Sequence, residues 1–210
     1  MKYRIIGDTV QTIAIELSAN ECIFSRLGSV LFVKGALASE TAPKGGYWSN
    51  ISSTLRTEKD PPMVAFRCEQ GGGLIGFQAP GPGKIHAVML DGASRITVKR
   101  KNILAATEGV AINPVYLDGE DNQQVTKKLF VTLGGSGWAF LHGPGNLVDF
   151  SLMANEKMVV DGSMILLMQG EISYEPRPTG TLSSHLDTPY ILLMHLHGPG
   201  HVILHTISDT

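Results

Sequence analysis

Hydrophobic positions along the chain recur with a period of two more often than with the 3.6 of a helix. Ile13, Ile15 and Leu17 alternate with Thr12, Ala14 and Glu16. Ile85, Ala87 and Met89 alternate with His86, Val88 and Leu90, although that second set is itself largely apolar. Successive side chains of a strand point to opposite faces, so this period predicts strands. Short apolar runs at 30–33, 63–66, 129–133 and 158–160 are strand-sized, and most have glycine or proline close by. Asp91-Gly92, Asp118-Gly119 and Asp161-Gly162 offer the left-handed backbone of tight hairpin turns. Pro82-Gly83, Pro144-Gly145 and Pro199-Gly200 fit the centre of type II turns. Many short strands at this spacing predict an all-β sandwich or barrel-like fold. Two polar stretches interrupt the pattern: 36–62, with Tyr47-Trp48 and a short helical turn expected over 52–56, and 113–128. Both read as surface excursions covering one end of a sheet.

Self-similarity sharpens this picture. Gly81-Pro82-Gly83, Gly135-Ser136-Gly137 and Gly198-Pro199-Gly200 each read as a turn that opens an apolar strand, and their first glycines lie 54 and 63 residues apart. A second unit interleaves with the first. Glu21-Cys22-Ile23-Phe24 leads to Gly28-Ser29-Val30-Leu31-Phe32 and Gly35. Arg95-Ile96-Thr97-Val98 leads to Asn102-Ile103-Leu104-Ala105-Ala106 and Gly109, and Glu156 to Val160 leads to Gly162-Ser163-Met164-Ile165-Leu166 and Gly170. Two interleaved sets in the same order predict a single domain over 1–210, built from three similar β units about a pseudo-threefold axis.

Composition adds exclusions. With 210 residues the chain can bury a core without staples, and 24 glycines favour a turn-rich fold. The net charge of −2 gives no field to draw it to nucleic acid or anionic lipid. No stretch approaches the ~18 apolar residues of a membrane helix. The N-terminus has no apolar signal core, because Gly7 and Asp8 end the first run at once. The expected location is cytoplasmic. Cys22 and Cys68 are the only cysteines, and they read as reduced, buried thiols, with pairing left open.

Residues 82–92, then Val98 to Leu104-Ala105-Ala106 and Gly109-Val110, resemble the mitochondrial-biogenesis AIM family (altered inheritance of mitochondria). Leu133-Gly134-Gly135-Ser136-Gly137 and Val160-Asp161-Gly162-Ser163 continue the resemblance in the same order, from about Val10 to Thr206. It points to the bacterial and archaeal branch, long labelled a domain of unknown function. It implies a fold like that of the tryptophan RNA-binding attenuation protein, a short variant of the double-stranded β-helix, with no known catalytic site. Eukaryotic relatives carry a transit peptide and act in organising the inner mitochondrial membrane. Here the first strand is expected almost at once, with no room for such a leader, so that role is not carried over.

Candidate chemistry is sparse. His195, His197, His201 and His205 surround Gly198-Pro199-Gly200. If those glycines close a three-residue hairpin, His197 faces His201, His195 lies beside them, and His205 projects to the same face. Such a set offers ligands for zinc or nickel, while a polar strand face explains the same residues; metal binding by His195, His197 and His201 is left open. Gly71-Gly72-Gly73-Leu74-Ile75-Gly76 matches a dinucleotide fingerprint, but Phe77-Gln78-Ala79-Pro80 cannot start the helix such a site needs, and a glycine-rich strand or bulge is expected. Ser136 lacks the strand-to-helix turn of a nucleophile elbow. Lys99-Arg100-Lys101 with Arg95 reads as a solvated strand end, and Trp48, Trp138, Tyr47 and Phe140 as core or loop anchors. The sequence therefore assigns no catalytic, cofactor-binding or metal residue, and no cofactor. It predicts a non-enzymatic β scaffold or interaction protein that forms homo-oligomers. The alternatives are a metal-dependent β-helix enzyme using the C-terminal histidines, and an RNA or small-ligand binder.

Overall fold

The computed structural model of the chain describes residues 1–41, 63–115, 130–178 and 192–208. They form strands with two single-turn 3₁₀ segments, at Arg100–Asn102 and Gly162–Met164. The first strands are β1 (Lys2–Ile6), β2 (Thr12–Leu17), β3 (Cys22–Arg26), β4 (Val30–Thr41) and β5 (Met63–Gln78). β6 (Gly83–Asp91), β7 (Ile96–Lys99), β8 (Ile103–Thr107), β9 (Val110–Pro114) and β10 (Phe130–Pro144) follow. The last are β11 (Leu147–Leu152), β12 (Lys157–Asp161), β13 (Ile165–Gly170), β14 (Ser173–Pro178), β15 (Leu192–His197) and β16 (Gly200–His205). Among the described residues they make one 13-stranded sheet and one 3-stranded sheet, and every pairing between named strands is antiparallel. The all-β expectation holds.

The pairings fall into three sets. In the first, the N-terminal half of β5 pairs with β3 and the outer half of β4, as in Phe24 opposite Ala65 and Ser39 opposite Phe66. Its C-terminal half pairs with β2 and the inner half of β4, so that Ile75 lies between Ile15 and Val33. In the second set β10 divides likewise, its N-terminal half pairing with β7 and β9 and its C-terminal half with β6 and β8. In the third, β15 pairs with β12 and β14, while β16 pairs with β11 and β13. The sets are joined twice, by β3 against β8 and by β7 against β13.

Three apolar cores accompany the three sets. One gathers Ile13, Ile15, Phe66, Ile75, Phe77 and Phe140. The central one is built on Val98, Val110, Val131, Leu133, Leu141 and Leu167, and the third on Phe130, Val160, Ile165, Met194, Leu196 and Val202. Strands between two cores are covered on both faces, so they lose the alternation of a half-buried strand. All of Cys22 to Ser25, Ile103 to Ala106 and Ile165 to Met168 are buried. The same effect explains β6, where Ile85 and Ala87 face one core while Val88 and Leu90 face another.

Several local expectations are corrected. The three glycine corners do not occupy one kind of place: 81–83 leads from β5 into β6, 135–137 lies inside β10, and 198–200 passes the chain from β15 to β16. Asp161-Gly162 is not a hairpin turn; the Asp161 carboxylate accepts a 2.8 Å hydrogen bond from the Ser163 amide and caps a 3₁₀ turn. The first strand does begin almost at once, with β1 at Lys2, but β4 runs on to Thr41, so the first long connection begins later than expected. Asp118-Gly119, the expected turn over 52–56, Tyr47 and Trp48 lie outside the described residues.

The glycines inside β10 have a steric cause. Gly135 has φ +81°, and a Cβ there would sit 2.3 Å from the carbonyl oxygen of Gly109, a backbone atom that cannot swing away. Gly28 has φ +92° but open space around it. Gly135→Ala is expected to cost ~2–3 kcal/mol, a fall in melting temperature of about 5–10 °C, against about 1 kcal/mol for Gly28→Ala. Thermal unfolding of the two variants separates the close approach from the left-handed backbone that both share.

Candidate interaction surface

The C-terminal histidines do not converge. β15 and β16 belong to different sheets, because 198–200 carries the chain onward between sheets instead of reversing it. His197 therefore lies opposite Lys157 and Ser173, whereas His201 lies opposite Ser151 and Gln169. The hairpin that would have set His197 against His201 is absent. His201 is exposed, with Nδ1 3.2 Å from the Ser151 hydroxyl and 3.7 Å from Asp149. His205 is buried, its Nδ1 2.9 Å from the carbonyl oxygen of Ile207, so it does not share a surface with the exposed His201. His195 pairs opposite Glu175 on β14. The Glu175 carboxyl is held below its usual range first by its hydrogen bond to Arg177, and less by His195 and His197. Among the described residues, no group of three His, Cys, Asp or Glu side chains is arranged to hold a metal ion.

The basic run also differs from expectation. Lys99 is buried, not solvated, and its ammonium donates to the carbonyl oxygen of Ser163 across the β7–β13 junction. At the β3–β8 junction the Arg26 guanidinium donates to the carbonyl oxygen of Arg100 at 2.6 Å. These cations tie strand sets together. The Gly71–Gly76 stretch lies within β5, where Gly71 and Gly72 take φ +76° and +132° and the rings and methyls of Phe32 and Leu37 press on Gly76 and Gly73. It is the expected bulged glycine strand. Ser136 is a strand residue of β10 opposite Asp91. The Trp138 ring stacks near Phe140, at 6.2 Å and 8°, and meets the edge of Tyr3 at 4.9 Å, which makes it a core anchor.

Cys22 and Cys68 are free and buried, and they belong to different cores. Burial pushes the Cys22 thiol up to about 11, with Arg67 opposing the shift only in part.

What the surface does offer is apolar strand. Leu31, Phe32 and Val33 in the inner half of β4 are 52%, 36% and 46% exposed, and Val159 in β12 is 52% exposed. These are continuous apolar runs of the kind that β8 and β13 bury completely. Sequence reading noted both runs as strands, but it could not tell which would be left uncovered.

The family described as mitochondrial biogenesis AIM24 matches residues 3–207. The chain belongs to this family. A crystal structure of protein SPYM3_0169 from Streptococcus pyogenes is similar to it, with a TM-score of 0.77 at 15% identity over 99% of this chain and 94% of that one. At that identity the likeness speaks for the fold. No curated protein matches the chain. No helix among the described residues is long and apolar enough to cross a membrane.

A thiolate is the reactive form of cysteine, and Cys22 forms it only far above neutral pH. A thiol reagent near neutral pH is expected to label neither cysteine of the native protein and to label both once denaturant is added, as read by mass spectrometry.

Proposed function

We propose that this member of the AIM24 family is a non-enzymatic β scaffold that works by joining strands to strands. On this reading its three pairing sets are copies of one sandwich unit, arranged as in the tryptophan RNA-binding attenuation protein, and it acts in the cytoplasm as a homo-oligomer. The coincidence of the three sets supports the copies: each has one long bent strand, or two strands end to end, whose halves take the same kinds of partner. The observation that carries the function is the apolar strand surface that lies open, Leu31, Phe32 and Val33 in β4 and Val159 in β12. An exposed strand with unpaired backbone groups is a template for another strand.

The competing readings use different chemistry and are separated by three measurements on protein purified without an affinity tag. A scaffold carries no stoichiometric zinc or nickel, retains no RNA at physiological salt, and has a solution mass above that of one chain. Stoichiometric metal would favour the β-helix enzyme and overturn the scaffold. RNA binding that weakens steeply with salt would favour the nucleic-acid module.

A further inference from the structure

We propose that in one copy the edge of β12 with no partner strand among the described residues pairs antiparallel with the inner half of β4 in a second copy, forming between molecules the junction that each chain already makes twice. This rests on the scaffold reading above and specifies its partner and register. At the first junction Phe24 lies opposite Ala106 and Ser25 opposite Ala105. At the second, Thr97 lies opposite Met168 and Val98 opposite Leu167. In both, the strand that precedes the turn in one set pairs with the strand that follows the turn in the next. That rule leaves over the following strand of the first set, inner β4, and the preceding strand of the last set, β12. Among the described residues β12 pairs only with β15, and inner β4 only with β5.

Burial follows the same division. β8 and β13 are the following strands at the two formed junctions, and all of Ile103 to Ala106 and Ile165 to Met168 are buried. The corresponding Leu31, Phe32 and Val33 are exposed although they are equally apolar. Of the preceding strands, the position before the last junction pair is Phe24 in β3, which is buried, and Thr97 in β7, which is half-buried, whereas its counterpart in β12, Val159, is 52% exposed. The apolar sequence has been kept where the neighbour is missing.

A shared irregularity sets the register. Each following strand skips one residue against its long strand: between Val30 and Phe32, between Ile103 and Ala105, and between Ile165 and Leu167. Aligning these bulges makes Phe32 the counterpart of Ala105 and Leu167. In the preceding strands, Lys99 and Asp161 stand at the same distance before Ile103 and Ile165, so Val160 is the counterpart of Val98. The junction between copies therefore sets Val160 opposite Phe32, Val159 opposite Val33 and Met158 opposite Lys34. The partner is a second copy and not the far end of the same chain, because within the chain inner β4 and β12 belong to different sheets and do not pair, and Val33 and Val159 stay exposed. Each copy offers one edge of each kind, so the contact is head to tail and propagates to an open chain or a closed ring.

This junction lacks one tie. Arg26 and Lys99 clamp the internal junctions through carbonyl oxygens of Arg100 and Ser163, but the counterpart in β12 is Asp161, whose carboxylate is already engaged by the Ser163 amide. Association between copies is accordingly weaker than the internal joins and depends on concentration.

The test uses Val33→Lys and Val159→Lys, both at exposed positions, with circular dichroism and melting temperature to verify folding. Wild type is expected to show species above one chain that grow along a concentration series in sedimentation velocity. Either variant alone is expected to be monomeric, because every contact needs one intact edge of each kind. Mixed in equal amounts, the two are expected to form a dimer of one copy of each and nothing larger. Monomeric wild type, a lysine variant that assembles like wild type, or a mixture that stays monomeric would overturn the pairing. Assembly that both variants retain would leave the scaffold reading standing while removing this edge. If a variant fails to fold, the doubly substituted Val33→Cys, Val159→Cys chain decides under oxidation: links between chains support the proposal, and a link within one chain refutes it.

Discussion

The structure depends on the four strands that make the two junctions between sets, each hydrogen-bonded on both edges. β3 lies between β5 and β8, β8 between β3 and β10, β7 between β10 and β13, and β13 between β7 and β16. β7 gives Ile96 and Val98 to the central core, and β3, β8 and β13 lie where two cores meet, so neither face of these three is open to water. A fully buried apolar side chain contributes roughly 1.5–3 kcal/mol, and these strands collect that gain at nearly every residue. Their backbone groups can be buried only because both ladders satisfy them. The polar groups admitted here are matched: the Ser25 hydroxyl, wholly buried, lies 2.7 Å from the Leu104 carbonyl oxygen and 2.6 Å from the Ser29 hydroxyl. Lys99 enters the interior with its ammonium donating to the carbonyl oxygen of Ser163.

This explains which parts of the fold were legible in the amino-acid order. Strand identity was, because apolar alternation at Ile13, Ile15 and Leu17 survives in β2, whose outer neighbour β1 is itself exposed. The interleaved unit running through Phe24, Val98 and Val160 marked the strand–turn–strand segments that became β3–β4, β7–β8 and β12–β13. Turn chemistry was less legible. A glycine pair such as 135–137 looks the same whether it reverses a chain or lets two backbones touch, and only the Gly109 carbonyl against Gly135 distinguishes them. Judged by partner strands, the position in β5 that resembles 135–137 of β10 is 71–73, not 81–83.

The same ambiguity misplaced the candidate chemistry. Bringing His197 against His201 required the chain to fold back at Pro199, and the residue types permitted it. The third set instead uses β15 and β16 end to end, as the other two use one long strand, and this sends the two imidazoles to different sheets. Lys99 was misread for a related reason. A charge next to two others resembles a solvated end, and nothing in the local sequence reveals that a carbonyl oxygen 64 positions away completes its site.

An exposed apolar edge is a hazard that folded proteins usually blunt with charge, proline or a covering loop. Inner β4 carries Lys34 at the end of its apolar run, and β12 carries Lys157 and Asp161 at its two ends, but the centres of both remain Leu31-Phe32-Val33 and Met158-Val159-Val160. Flanking charges with an apolar centre restrict pairing without abolishing it, since a strand displaced along the edge would set a charge against a valine. The Asp161 carboxylate adds a second restriction, because it stands where the internal junctions place a cation and is held by its own turn. A surface that kept the apolar centre and lost the clamp is suited to an association that forms and dissolves, and the internal junctions, with both, are suited to permanence.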